Sequence, residues 1–152
     1  MDDPSETQSL FSYLSVDGAE EAMAFYGAAF GGKDRGVTLR DGGGTVVHAE
    51  ITIGKTTMFL AEAAADPSGC SPLTLGNTPV RLALDVADVD QTVAKAASLG
   101  AEVVIPPGDQ FYGYRAGRIR DPFGHVWVIS KRIEDLSTEE MQHRLDALIG
   151  KT

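Results

Sequence analysis

Leu82-Ala83-Leu84-Asp85-Val86-Ala87-Asp88-Val89 is the stretch on which the fold turns, because it restates a pattern already used at Ser12-Tyr13-Leu14-Ser15-Val16-Asp17-Gly18-Ala19. In each case a short apolar-containing run predicts a strand, with Leu14 and Val16 on the core side of the first. An aspartate that can cap a helix follows each run, with Asp17 and Glu20 at capping-box spacing in the first. Apolar residues at helical spacing come next: Ala22, Met23, Tyr26 and Phe30 after the first run, Val89, Val93, Ala96 and Ala97 after the second. Val16 and Val86 are equivalent at an offset of 70 (86 − 16). The chain is predicted to contain one unit twice.

Working outward, Gly31-Gly32 and Gly100 stop the two helices. Val46 to Ile53 and Thr56 to Ala61 read as strands joined at Gly54-Lys55, a two-residue hairpin turn, with the polar 38–45 segment leading in. Ala101 to Ile105 reads as a short strand closed by Pro106-Pro107-Gly108. Arg115 to Arg120 and His125 to Ser130 flank Asp121-Pro122-Phe123-Gly124, whose composition is that of a turn. The pattern predicts an α+β fold of tandem βαβββ modules forming a cupped mixed sheet, plus a C-terminal helix. Residues 1–9 form a tail, 10–63 the first module, 64–79 a proline-rich linker, 80–132 the second module and 133–152 the helical end. Ser137 and Glu140 have capping-box spacing there, and Met141, Leu145, Leu148 and Ile149 share one side.

Composition bounds the function. The chain has 152 residues and a net charge of −9, from 13 Lys and Arg against 22 Asp and Glu. That balance argues against nucleic acid and anionic membranes as partners, since phosphate binding needs a concentrated positive field. Cys70 is the one cysteine, which leaves no intramolecular disulfide and no multi-cysteine zinc site. No apolar run approaches a membrane span and the start is acidic, so a cytoplasmic location is the expectation. A cup made by two curved sheets must be filled, and in a small domain the filler is usually a ligand.

Val16-Asp17-Gly18 with Ala24-Phe25-Tyr26 and Phe30-Gly31, then Val86-Ala87-Asp88-Val89-Asp90, then Asp121-Pro122-Phe123-Gly124-His125 together resemble the vicinal oxygen chelate superfamily. That superfamily contains glyoxalases, bleomycin-resistance proteins and extradiol dioxygenases. His48-Ala49-Glu50-Ile51, Asp109-Gln110-Phe111 and Arg118-Ile119-Arg120 are similar to its PhnB-like group. The resemblance covers about residues 10–132. It implies paired βαβββ modules, dimerisation and, in metal-dependent members, a divalent ion such as Zn or Fe held from the first and last strand of each module. Those places fall at or near Phe11, Glu62, Arg81 and Val128, of which only Glu62 is a metal ligand by chemistry. The expectation is therefore a metal-free protein that holds a small organic molecule, aromatic or antibiotic-like, in the cup between its modules.

The candidate ligand-binding residues are Phe11, Tyr13, His48, Glu50, Glu62, Arg81, Phe111, Tyr112, Tyr114 and Arg115; no catalytic residue is assigned. His48 and Glu50, two apart on one strand, leave the same face. The alternative is a glyoxalase- or dioxygenase-like lyase or isomerase using His48, Glu50 or Glu62, with or without a metal. Register decides between them: with a two-residue turn Ile53 faces Thr56, and Glu62 lands on the face opposite His48 and Glu50 unless a bulge intervenes. Tyr112-Gly113-Tyr114-Arg115 stands where similar proteins have Trp-Gly-Asp-Arg, so an aromatic face replaces a carboxylate. Arg115, Arg118 and Arg120, with Arg81, form a local positive cluster suited to carboxylate or phosphate.

Overall fold

The structure of the chain, a computed structural model, describes residues 3–150. It divides into two compact units, one up to Leu75 and one from Gly76. The first holds strands β1 (Ser12–Val16), β2 (Lys33–Arg40), β3 (Val46–Ile53) and β4 (Thr56–Glu62), in the sheet order β1-β4-β3-β2, with helix α1 (Ala19–Phe30) and the single turn α2 (Pro72–Leu75). The second holds β5 (Arg81–Asp85), β6 (Glu102–Asp109), β7 (Tyr114–Arg120) and β8 (Val126–Arg132), in the order β5-β8-β7-β6, with α3 (Val89–Ser98) and α4 (Thr138–Leu148). Each sheet is mixed: the first strand pairs parallel to the last, and the other pairings are antiparallel. This is the α+β architecture of repeated βαβββ units that the repeat implies.

In the first unit one sheet face is closed by α1. Leu14 and Val16 of β1, Met58 and Leu60 of β4, and Ala49 and Ile51 of β3 are buried with Ala22, Phe25 and Tyr26 of the helix. Strand parity selects these residues, and each large one contributes roughly 1.5–3 kcal/mol on burial. In the second unit Val89, Val93 and Ala96 of α3 are buried with Ile119, Trp127 and Ile129.

Four local expectations are corrected. Asp17 does not cap α1: the N-cap is Gly18, in the left-handed region at φ 101° with no side chain to offer, and Asp17 instead accepts from the Ser71 hydroxyl at 2.6 Å. The Pro106-Pro107-Gly108 run does not end its strand, since β6 continues to Asp109. It does so because β6 is an edge strand whose pairing with β7 shifts register at Val103/Ile105 and Ile105/Gly108, so missing proline amides leave few ladder bonds unmade. The segment from 64 to 79 is not structureless, for it contains part of a 3-10 turn (Ala63–Ala65) and α2. Finally, α4 starts at Ser137, whose hydroxyl accepts from Glu140 N as expected, yet it buries none of its residues. Arg144 ties it down instead, through a two-pronged ion pair with Glu134 at 3.0 and 3.1 Å and a bond to Glu140 at 3.1 Å.

Candidate functional site

The sheet face of the first unit that α1 leaves open carries a connected polar and aromatic group. The register Tyr13↔Phe59 and Glu50↔Phe59 sets Tyr13, Phe59 and Glu50 in one row across β1, β4 and β3, and His48 lies two residues along β3 on the same face. Phe11 stacks on Phe59 with ring centroids 4.9 Å apart, and Tyr13 meets Phe59 edge-on at 5.7 Å. The Tyr13 hydroxyl is 2.7 Å from His48 Nδ1, and His48 Nε2 is 3.2 Å from Glu50 Oε1. Arg35 of β2 reaches the second Glu50 oxygen at 3.4 Å.

Chemistry assigns the protons along this chain. A carboxylate only accepts, so His48 Nε2 carries the hydrogen toward Glu50; in the neutral ring Nδ1 then accepts from the Tyr13 hydroxyl. Burial first, and the Asp66 carboxylate second, push the Tyr13 phenol above its ordinary pKa, so it keeps its proton at neutral pH. A base held by a carboxylate and bonded to a hydroxyl is an arrangement that can move a proton. Phe11 and Tyr13 remain 44% and 54% exposed, so the aromatic surface is open to a ligand.

Glu62 is placed apart from this group. The β3–β4 pairing is regular from Ile53↔Thr56 to Ala49↔Leu60, with no bulge. Glu62 therefore emerges on the α1 side, where its carboxylate accepts from Gly18 N at 2.9 Å and Ala19 N at 2.7 Å. It supplies the cap that Gly18 lacks, and a negative charge there suits the helix dipole. The convergence of His48, Glu50 and Glu62 that the enzymatic alternative asked of a bulge does not occur.

In the second unit, Arg115 is withdrawn from the positive cluster. It faces α3 and is held by Asp90 at 2.6 and 2.8 Å and by Asp109 at 2.9 Å, bonds that raise its pKa above the ordinary arginine value. Arg81, Arg118 and Arg120 lie on the opposite face: Arg81 and Arg120 both pair with Val126, and Arg118 pairs with Val128. Of the aromatic run, Phe111 meets Tyr112 at 5.1 Å and Tyr112 meets Tyr114 at 5.7 Å, while the Arg132 guanidinium sits 5.9 Å over the Tyr114 ring. Tyr112 alone of the three lines a cavity of about 70 Å³, beside Gln110 and Arg118. The turn that presents these rings requires glycine at 113, where φ is 83° and a Cβ would come within 2.9 Å of Glu134 O. The Gly113 carbonyl in turn accepts from the amides of Ile133 and Glu134.

The sequence reading missed Phe59 and Arg35. Phe59 was recoverable from parity, since it shares the face of Ala61 and alternates with Met58 and Leu60. Arg35 was not, because nothing in Lys33-Asp34-Arg35-Gly36 marks the edge strand it belongs to.

The donor set at the four metal positions implied by the superfamily does not fit a metal. Phe11 is stacked on Phe59, Glu62 is engaged by two backbone amides, Arg81 is a cation, and Val128 has no lone pair. Among the described residues, no three His, Cys, Asp or Glu side chains gather as a metal-holding group, and no helix is long and apolar enough to cross a membrane.

Comparison with known proteins agrees with this architecture. The family model for the Glyoxalase/Bleomycin resistance protein/Dioxygenase superfamily matches residues 9–129. An uncharacterized protein of Mycobacterium bovis is 34% identical over 137 residues, which is 88% of this chain and 90% of that one. Among solved structures, a gene product of Arabidopsis thaliana aligns with a TM-score of 0.67 at 25% identity, covering 81% of this chain and 98% of its own. A PhnB protein from Bacillus cereus aligns with a TM-score of 0.61 at 20% identity, covering 82% and 99%, a likeness of fold.

Proposed function

Because the chain belongs to the glyoxalase/bleomycin resistance protein/dioxygenase superfamily, we propose that it binds a small organic molecule with a flat or apolar portion, without a metal, on the open face of its first sheet. The observation that supports this most is the Phe11-Phe59-Tyr13-His48 surface. Stacked and edge-on rings offer a ligand large apolar contact at little entropic cost, and His48 and Glu50 supply directional polar contacts at its border. The replaced metal positions support the metal-free part of the reading.

The test is a titration of chelator-treated protein with flat aromatic compounds, bleomycin among them, followed by calorimetry. Micromolar binding is expected, weakened by about tenfold in Phe59→Ala, as loss of one stacking surface implies. A stoichiometric metal retained by protein purified without chelator, or binding unchanged in Phe59→Ala, overturns it.

A second reading rests on the Tyr13–His48–Glu50 chain: a metal-free enzyme in which His48 takes a proton from an acidic C–H of the bound molecule, and Glu50 orients the ring. Turnover that survives unchanged in His48→Gln removes this reading and leaves the binding protein.

A further inference from the structure

On the open face of the second sheet, Arg118 is left incomplete. Its Nε is buried and has no hydrogen-bond acceptor among the described residues. A buried guanidinium N–H without a partner is costly, and native proteins rarely retain one unless something else satisfies it. Two cavities beside it leave room for such a partner. Arg118 lines the cavity of about 70 Å³ that Gln110 and Tyr112 share, and also a larger one of about 250 Å³ lined by Arg81, Arg120, Asn77 and Thr78.

Neither Arg81 nor Arg118 enters an ion pair among the described residues. Arg120 is only loosely engaged, 3.8 Å from Glu102 and 3.4 Å from both Asn77 Oδ1 and the Gly124 carbonyl. Strand spacing puts the Arg81 and Arg120 stems about 10 Å apart across β8, with Arg118 about 7 Å along β7, so three cations ring one opening. In a protein of net charge −9 such cations have ample acid to pair with, as Arg115 and Arg144 do, yet Arg81 and Arg118 form no ion pair among the described residues.

We propose that this face is an oxyanion site, and that the molecule it takes is a small organic carboxylate or phosphate ester. Arg118 Nε and its adjacent Nη present two parallel N–H groups, the fork that a carboxylate or phosphate accepts side-on. Arg81 and Arg120 balance the remaining charge, and Val126 and Val128 offer an apolar wall to the organic part. This site deepens the small-molecule reading above and rests on it for the size of the ligand, but its residues are separate from the Phe59 surface.

The experiment titrates the full chain with benzoate, phenyl phosphate and neutral benzyl alcohol, followed by calorimetry and by amide shifts on β7 and β8. At least one anion is expected to bind about tenfold or more tightly than the alcohol, with a preference that shrinks as salt rises and is lost in Arg118→Gln. Tighter binding of phenyl phosphate assigns a phosphate ester, and tighter binding of benzoate assigns a carboxylate. Arg118→Met distinguishes a binding residue from a structural one: deleting an orphaned donor is expected to leave Tm unchanged or raised, whereas a structural arginine would lower it. Arg81→Ala, at an exposed position, is expected to fold normally and lose part of the preference. Equal affinity for anion and alcohol, or a full preference surviving in Arg118→Gln, overturns the oxyanion site while Phe59-dependent aromatic binding still stands. Arg118-dependent anion binding without any Phe59-dependent binding supports this site and overturns the first-sheet reading; absence of binding by every probe overturns both.

Discussion

At the start of its helix the first module has Gly18 and borrows the Glu62 carboxylate from β4, whereas the second module has Asp88, whose own side chain accepts from Gln91 N at 3.0 Å. The two positions are the same place in the repeat, 70 residues apart (88 − 18). One step past the Asp85↔Ser130 pair, the second module carries Lys131 where the first carries Glu62 at the Val16↔Glu62 pair. Each module thus has one acid for one helix terminus, supplied locally in one case and across the sheet in the other. The substitution teaches that a duplicated fold conserves the requirement for a cap and not the residue that meets it. It also explains why the family's metal position at Glu62 is spoken for: the carboxylate has a structural employer.

The hairpin turns differ in the same spirit. Gly54-Lys55 closes β3 and β4 with a two-residue turn, while β7 and β8 are closed around Asp121, which is 3% exposed and accepts from Phe123 N, His125 N and Trp127 Nε1 at 2.9 to 3.0 Å. Asp121→Ala takes the carboxylate from these three donors, two of them buried, and is expected to cost about 3–4 kcal/mol, the largest loss of any variant considered. Trp127 is the one tryptophan of the chain, so urea denaturation followed by its fluorescence reads this module directly. A loss below about 1 kcal/mol would show that the second turn is as self-sufficient as the first.

The capping comparison predicts the next largest effects. Glu62→Ala removes a charged acceptor from two amides and is expected to cost about 2 kcal/mol, against about 1 kcal/mol for Asp88→Ala, which removes one capping bond. Chemical denaturation of both variants in parallel gives the order, and a reversed order breaks the account of Glu62 as a cap. The smallest effect concerns the open faces. Tyr13→Phe is expected to cost less than about 1 kcal/mol at neutral pH, since one partly exposed bond is lost. The Tyr13 phenol is raised above its ordinary value of 10.0, so the stability it carries is complete below that pH and is lost as the pH rises through the folded-state value. Alkaline melts should therefore show the wild type losing stability above pH 10.0 more steeply than Tyr13→Phe, and identical alkaline curves would remove Tyr13 as the titrating group.

The two open faces extend the contrast to function. The first is aromatic, with a hydrogen-bonded Tyr-His-Glu chain; the second is cationic, with an arginine whose Nε has no acceptor among the described residues. Strand parity made part of this legible beforehand. His48 and Glu50 were expected on one face, as were Arg118 and Arg120, and the two-residue turn at Gly54-Lys55 was expected to turn Glu62 away from His48. These are consequences of the period of two and of local turn geometry, which are properties of the chain itself. Parity also puts Arg115 on the face opposite Arg118 and Arg120, but which arginine is neutralised was not legible from it. The withdrawal of Arg115 follows from Asp90 on α3 and Asp109 at the end of β6, partners 25 and 6 residues away. Likewise α4 has its predicted cap and apolar side, yet Leu148 and Ile149 stay exposed and Arg144 provides the attachment, because docking depends on what surface the second sheet leaves available.

By itself, then, the sequence determined the repeated βαβββ plan, the positions of the glycine stops and the face on which most strand residues lie, because propensity, periodicity and turn chemistry act over a few residues. Only the tertiary structure decided which carboxylate caps α1, which arginine is neutralised and which is left with an N–H unmet among the described residues, and that Tyr13 hydrogen-bonds His48. Each of those outcomes depends on atoms brought together from distant segments, and a hydrogen bond is settled by tenths of an ångström that no local pattern encodes.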